Sequence, residues 1–319
     1  TEGDIALYRA MTGNRFAQYS SAEFAKAAGL PGLCIDPLHA FHVVFGKSVP
    51  DISLNAVANL GYADGRFFLP VMPGDTLNTV SKVIGIKENS NGKTGVVWVR
   101  TTGFNQHGET VMSFVRWVMV NKFEMDNPSP EPVLPDLPAA VPAGELVGYP
   151  EMKTWDMALA GSPHTFGDYA VGEKINHVDG MTVEEAEHQI ATRLYQNTAK
   201  VHFDAHGQKD SRFGKRLIYG GVVISIARSL AFNGLANAGQ MLAINAGSHV
   251  SPLFAGDTIY AWSEVLDKAD LSDTCGALRL RLVAVKDQDP GAFAYKDAAG
   301  KYASGVLLDF DYWAAIPKR

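Results

Sequence analysis

MPGDTLNTVSKV, from Met72 to Val83, and FAGDTIYAWSEV, from Phe254 to Val265, are two copies of one pattern. In each, a Gly-Asp-Thr triplet makes a turn and opens a run rich in β-branched and aromatic residues, the signature of a strand entered from a tight turn. The two triplets lie 182 positions apart. Further upstream, MTGNRFAQYSSAEFA around Asn14 and LYQNTAKVHFDAHGQ around Asn197 align at a separation of 183. Two anchors at almost one offset predict an internal duplication.

Between the copies, seven of the sixteen prolines fall from Pro128 to Pro150. That composition favours extended backbone over helix or central strand and marks a linker. The expected organisation is therefore a unit over 1–126, a Pro-rich linker over 127–150 and a second unit over 151–319. A length of 319 residues gives each unit enough chain to bury its own core.

The halves also share an order of elements. TVEEAEHQIATRLYQN, with Thr182 three residues before Glu185, predicts a capped helix burying Val183, Ala186, Ile190 and Leu194. GGVVISIARSLAFNGLAN predicts an apolar helix opened by Gly220 and Gly221, with Val223, Ile226, Ala227 and Leu230 along one stripe. DIALYRAMTGN and PLHAFHVVFGKSV are the first-half counterparts. Three long β-rich runs follow each Gly-Asp-Thr: DTLNTVSKVIGI, TGVVWVRTTGF and ETVMSFVRWVMVNK, then DTIYAWSEVLDK, GALRLRLVAVK and GVLLDFDYWAAI. Turn residues such as KENSNGK connect them as antiparallel meanders. Helices followed by consecutive antiparallel strands are an α+β layout, in which a sheet wraps one apolar helix and two such sheets merge to hide their edges.

A composition of 46% hydrophobic and 19% charged residues, with net charge -6, is that of a soluble globular protein with no overall attraction to nucleic acid or anionic membrane. Cys34 and Cys275, one per half, form neither a disulfide framework nor a metal cluster, and fit a reducing cytoplasm. No membrane span and no leader are expected. The chain opens at Thr1, without a methionine and directly in a predicted helix, so a preceding segment that includes a strand is expected.

This order of features, with a Pro- or Ala-Gly-Asp-Thr strand start, resembles the hot-dog fold, and specifically the MaoC-like, or R-specific, enoyl-CoA hydratases. The likeness spans nearly the whole chain and implies two fused hot-dog domains. The family motif is roughly Gly-Asp-x-Asn-Pro-x-His with an acidic residue two positions on, then a His-Gly pair opening the central helix. Here QNTAKVHFD supplies Asn197 for the aspartate, Ala199-Lys200 for Asn-Pro, His202 for the histidine and Asp204 for the acidic residue. Gly220-Gly221 stands for His-Gly. The first half has Asn14 and Tyr19 at the matching positions, so it is expected to be a diverged, non-catalytic copy. The stretches FHVVFGKSVPDISLNAVANLGYADGRFFLPVMPGDTL and ENSNGKTGVVWVRT are similar to family members acting on mesaconyl-CoA, which implies reversible addition of water across its double bond.

That reaction needs a base for water, an acid for the α-carbon and donors for the enolate-like thioester oxygen. The resemblance makes His202 the acid/base and Gly221, with Gly220, the N–H donor at a helix N-terminus. Asn197 cannot carry a proton but can hold the water. Either His202 performs both transfers, or a neighbour such as Asp204 or His206 helps. His202 and His206 lack a third ligand, so no metal is expected, and no cofactor beyond the coenzyme A of the substrate. KDSRFGKR places Arg212, Lys215 and Arg216 where they could meet coenzyme A phosphates, or simply form a solvated loop. A free carboxylate on the acyl group would want a cation, with Arg193, Arg15 and Arg66 as candidates. Asp75 and Asp257 recur in both copies and are expected to shape turns. Alternative functions are hydration of fatty acyl-CoA, a thioesterase, which VVISIARSLA disfavours by lacking a carboxylate, and a non-catalytic acyl-CoA-binding protein. A fused pair can act alone or as a homo-oligomer.

Overall fold

The computed structural model describes residues 1–53 and 56–318. The first half runs α1 (Glu2–Thr12), α2 (Ala22–Ala27), α3 (Pro37–Ile52), then β1 (Ala56–Phe67), β2 (Asn78–Glu88), β3 (Thr94–Phe104) and β4 (Thr110–Asn121). The second runs α4 (Met157–Ala160), β5 (Lys174–Thr182), α5 (Glu185–Leu194), α6 (Lys200–Phe203), α7 (Gly220–Leu230), then β6 (Gln240–His249), β7 (Thr258–Asp270), β8 (Cys275–Lys286) and β9 (Val306–Pro317). The strands form one antiparallel sheet in the order β2-β3-β4-β1-β6-β9-β8-β7-β5. All six strand runs expected after the Gly-Asp-Thr triplets are present. The architecture is α+β, two hot dogs sharing a continuous sheet.

The halves join where β1 pairs with β6, and the register there identifies the repeat. Ala63 faces Ala246, residues related by the 183-residue offset, so the junction lies on a local twofold axis. A second pair of equivalent residues meets on the helical side, where His42 Nε2 lies 2.9 Å from Ser225 Oγ. Small residues let the seam close: a methyl on Gly65 would fall 2.8 Å from Ile244 Cβ, and one on Gly247 2.7 Å from the Tyr62 ring.

Each half wraps its central helix. In α7 every residue from Gly221 to Leu230 is buried, so the helix is enclosed all round and its apolar stripe has no solvent-facing opposite. Helix α3 starts from Asp36, whose Oδ1 accepts the Leu38 N–H at 2.8 Å, with Pro37 at its first position. Asp75 and Asp257 accept the backbone N–H of Met72 (2.8 Å) and Phe254 (2.9 Å), closing equivalent turns before β2 and β7. Glycines follow suit, with φ of 102° at Gly74 and 93° at Gly256.

One expectation changes. Helix α5 is capped by Glu184 with Glu187, whereas Thr182 still belongs to β5. Its buried face is His188, Ala191 and Thr192, while Ala186 and Ile190 lie exposed. The helix is rotated from its apolar stripe because its inner face meets polar groups. The Pro-rich segment between the halves is largely extended, as expected, and packs against the sheet. Val133 bridges to Ile86 of β2, the Trp313 indole donates to the Val141 carbonyl at 3.0 Å, and the Val141 N–H donates to Asn245 Oδ1 at 2.9 Å. Among the described residues no helix is long and apolar enough to cross a membrane.

Candidate active site at the start of the second central helix

The N-terminus of α7 is the chemical centre of the second half. Tyr219 precedes the helix and no side chain caps it. The first N–H groups of a helix have no partner within it, so those of Gly220 and Gly221 are free to bind an oxygen at the positive end of the helix dipole. Aromatic and imidazole rings crowd the two glycines. A methyl on Gly220 would lie 2.3 Å from His249 Cε1, and one on Gly221 2.3 Å from Tyr219 Cε1 and 2.7 Å from His42 Cε1. The open helix end and close packing both require glycine here.

His202 is delivered by a short, tightly specified segment. Gln196 adopts a left-handed backbone, φ 55°, and Asn197 Oδ1 then accepts the Ala199 N–H at 3.1 Å, turning the chain into α6. The Leu217 N–H donates to the Val201 carbonyl at 3.1 Å, which folds the following loop back onto α6. Leu217 O lies 2.9 Å from His202 Nδ1. A carbonyl only accepts, so Nδ1 carries the proton and Nε2 keeps its lone pair. Burial lowers the imidazole pKa to about 4, against the raising effect of the Leu217 carbonyl, so His202 is neutral at physiological pH. Its ring centroid is 5.4 Å from that of Tyr219 and 6.3 Å from that of His188. His188, on the polar inner face of α5, accepts the Tyr219 N–H on Nε2 at 3.0 Å and so aligns the residue ahead of the glycines.

His249, at the end of β6, was not singled out in the sequence. Its Nε2 lies 3.1 Å from the Tyr62 hydroxyl of β1, and burial holds its pKa at about 4. His202, Gly220 and His249 each keep some accessible surface around the buried Tyr219. The first half packs directly onto this place, Tyr62 against His249 and both His42 and Phe45 against Tyr219.

The equivalent place in the first half is closed by its own side chains. Asp36, the positional counterpart of Tyr219, occupies the start of α3 with its carboxylate, and Asn14 Nδ2 donates to that carboxylate at 2.7 Å. Tyr19, in the place of His202, donates its hydroxyl to Gln240 Oε1 at 2.7 Å. Among the described residues, no free helix N–H pair and no imidazole base face each other there.

Some of the other candidates have partners of their own, and others are exposed. Asp204 Oδ1 accepts the Gly207 N–H at 2.9 Å, closing a turn, and its pKa is lowered mainly by that bond. Arg216 pairs with Glu185 and Gln189, pinning its loop to α5. Arg212 and Lys215 are exposed and lie over the rings of Phe213 (5.3 Å) and Phe254 (4.2 Å). His206 is exposed. Of the arginines considered for a carboxylate, Arg66 binds Asp64 and Glu145, Arg15 binds Asn233 and approaches Asp179, and Arg193 is exposed.

Comparison with known proteins places the chain. The MaoC like domain matches residues 1–104. Along 320 residues, 99% of this chain and 92% of the relative, it is 61% identical to mesaconyl-CoA hydratase of Cereibacter sphaeroides. The chain belongs to the MaoC-like family. A second family member, β-methylmalyl-CoA dehydratase of Chloroflexus aurantiacus, is 57% identical across 100% of this chain and 92% of its own length. The solved structure of Rv0216 from Mycobacterium tuberculosis, described as a double hotdog fold, superposes with a TM-score of 0.77 at 26% identity, covering 99% of this chain and 92% of its own. The protein is accordingly a MaoC-like hydro-lyase of the enoyl-CoA hydratase/dehydratase kind with a double hot-dog fold.

Proposed function

We propose that the protein reversibly hydrates mesaconyl-CoA to β-methylmalyl-CoA at the start of α7. The observation that carries this reading is a neutral His202, with its proton fixed on Nδ1 and its ring against Tyr219, the residue that precedes an uncapped glycine helix start. The acyl thioester oxygen accepts the Gly220 and Gly221 N–H groups, which stabilise it as it gains enolate charge. Water attacks the β-carbon as His202 Nε2 takes its proton, and the π electrons move toward the thioester oxygen. The resulting imidazolium returns that proton to the α-carbon, so one histidine balances the reaction and Asn197 need only order the approach. The second half, 151–319, supplies the chemistry, and the first half, 1–126, the rings packed onto it. No cofactor is required beyond the coenzyme A of the substrate. The names of the two relatives support this choice of acyl group.

The test follows absorbance of the enoyl-thioester band with purified protein and mesaconyl-CoA, beside crotonyl-CoA. Decay with mesaconyl-CoA supports the assignment. Decay with crotonyl-CoA alone keeps the hydratase and removes the substrate, and no decay with either overturns the reading.

A further inference from the structure

Arg116 of β4 is a buried cation whose described partners include no acid. It is 1% exposed, and its guanidinium lies 4.1 Å above the Phe45 ring. Nη2 donates to Ser48 Oγ at 3.0 Å and approaches the Ser48 carbonyl at 3.5 Å, while Nε has no partner. Among the described residues no carboxylate comes within ion-pair distance. Burial lowers its pKa to about 10, which leaves it charged at neutral pH. Desolvating a guanidinium without an anion is costly, so the arrangement calls for a partner that arrives.

Its surroundings say where. Phe45 packs against Tyr219, with ring centroids 5.8 Å apart, and Tyr219 adjoins His202 and precedes Gly220. The buried Tyr219 hydroxyl also lacks a partner. Arg116 acts electrostatically on both Tyr62 and Tyr219, whose rings lie against His249 and His202.

The duplication supplies an internal control. Arg228 is the counterpart of Phe45 at the 183-residue offset, and Tyr312 holds the same place in β9, just before Trp313, that Arg116 holds in β4, just before Trp117. The second half thus carries the same cation-aromatic pair with its members exchanged, Arg228 lying 5.4 Å from the Tyr312 centroid. Arg228 acts on Asp36, the carboxylate that fills the closed site of the first half. Each arginine thus acts electrostatically on a residue of the opposite half that precedes a central helix, Tyr219 for Arg116 and Asp36 for Arg228, but only the latter is an acid.

We propose that Arg116 receives the free carboxylate of the acyl group, making the site selective for monothioesters of short dicarboxylic acids. The inference rests on placing the acyl group beside His202, and assigns substrate selection to the half that has lost its chemistry.

The test is calorimetric binding of methylsuccinyl-CoA and 2-methylbutyryl-CoA, saturated thioesters that differ only by carboxylate against methyl. The wild type is expected to prefer the carboxylate. Arg116→Met is expected to weaken methylsuccinyl-CoA by at least about 30-fold, the scale of losing one partner of a desolvated charge pair, and 2-methylbutyryl-CoA by less than about threefold. Equal losses for both ligands, or no loss, overturn the inference. If Arg116→Met does not fold, Arg116→Lys carries the test. A lysine cannot span both Ser48 and a carboxylate, so the preference should fall at least about fivefold, and an unchanged preference is refuting. Preference that depends on Arg116 in a protein hydrating neither mesaconyl-CoA nor tigloyl-CoA would uphold the carboxylate site while removing the hydratase reading.

Discussion

Replacing Gly221 by alanine tests whether the start of α7 is built to the tolerance that the chemistry needs. The new methyl would lie 2.3 Å from Tyr219 Cε1 and 2.7 Å from His42 Cε1, where ordinary contact begins at 3.4 Å. The Tyr219 ring must therefore retreat by about 1 Å, the scale at which misplacement costs about 100-fold in rate. It has little room, being bounded by His202, Phe45, Tyr195 and His42. Movement toward His202 disturbs the base, and movement of the helix start displaces the N–H donors. Overpacking of this kind also destabilises by about 1–3 kcal/mol. We expect turnover of mesaconyl-CoA, followed at the enoyl-thioester band, to fall about 100-fold, with a urea midpoint lowered but a cooperative transition retained. Gly144→Ala is the control, because a methyl there meets nothing within 4 Å. Turnover in Gly221→Ala within threefold of wild type would refute the argument.

His202→Ala should lose at least about two orders of magnitude in turnover, the usual weight of general acid-base catalysis, while Tyr19→Phe should leave turnover unchanged and cost about 1 kcal/mol of stability through the lost Gln240 bond. Equal activity losses in the two would remove the single-site account. The pH dependence of kcat/KM should have its acidic limb near the lowered His202 pKa of about 4, giving a plateau through pH 6.5. A limb at 6.5 would show that the base is a different group or is solvated. Stability should fall with acid over a related window. His39, His42, His177, His188, His202 and His249 all have pKa values pushed below 6.5 by burial. Below pH 6.5 the unfolded chain takes up protons that the folded one refuses. Each such histidine then removes about 1.4 kcal/mol per pH unit until its folded pKa is reached. Urea midpoints that stay flat from pH 7 to 5 would contradict this.

The repeated strands were legible because their residues state both the turn and the alternation: Gly-Asp ahead of Thr, then β-branched runs that stay in register with their neighbours. The strands β1 and β6 carry no such pattern. They are interrupted by Gly61, Gly65 and Gly247, which the closeness of Trp117, Ile244 and Tyr62 demands, so close packing at the seam and beside β4 erased the local strand signal. Helix α5 misled for the opposite reason: its apolar spacing suggested one buried face, but His188 and Thr192 turn inward because Tyr219 needs an acceptor. At the candidate site His202 and the glycine pair could be found from the motif. His249 and Arg116 could not, since each is brought there by long-range pairing, β6 beside β1 and β4 beside β1. Nothing near either residue in the chain marks it.

The contact between His42 and Ser225 has a consequence for the history of the molecule. In an assembly of two identical subunits, a residue on the symmetry axis meets its own copy, and a change there is always made twice. A histidine at that position would confront a histidine, two rings that repel whenever both take up protons. Joining the copies in one chain releases the axis from this constraint, so that one side can carry an imidazole and the other the hydroxyl that answers it. The same release lets Tyr19 and His202 occupy corresponding positions, and makes unequal halves heritable as a single gene product.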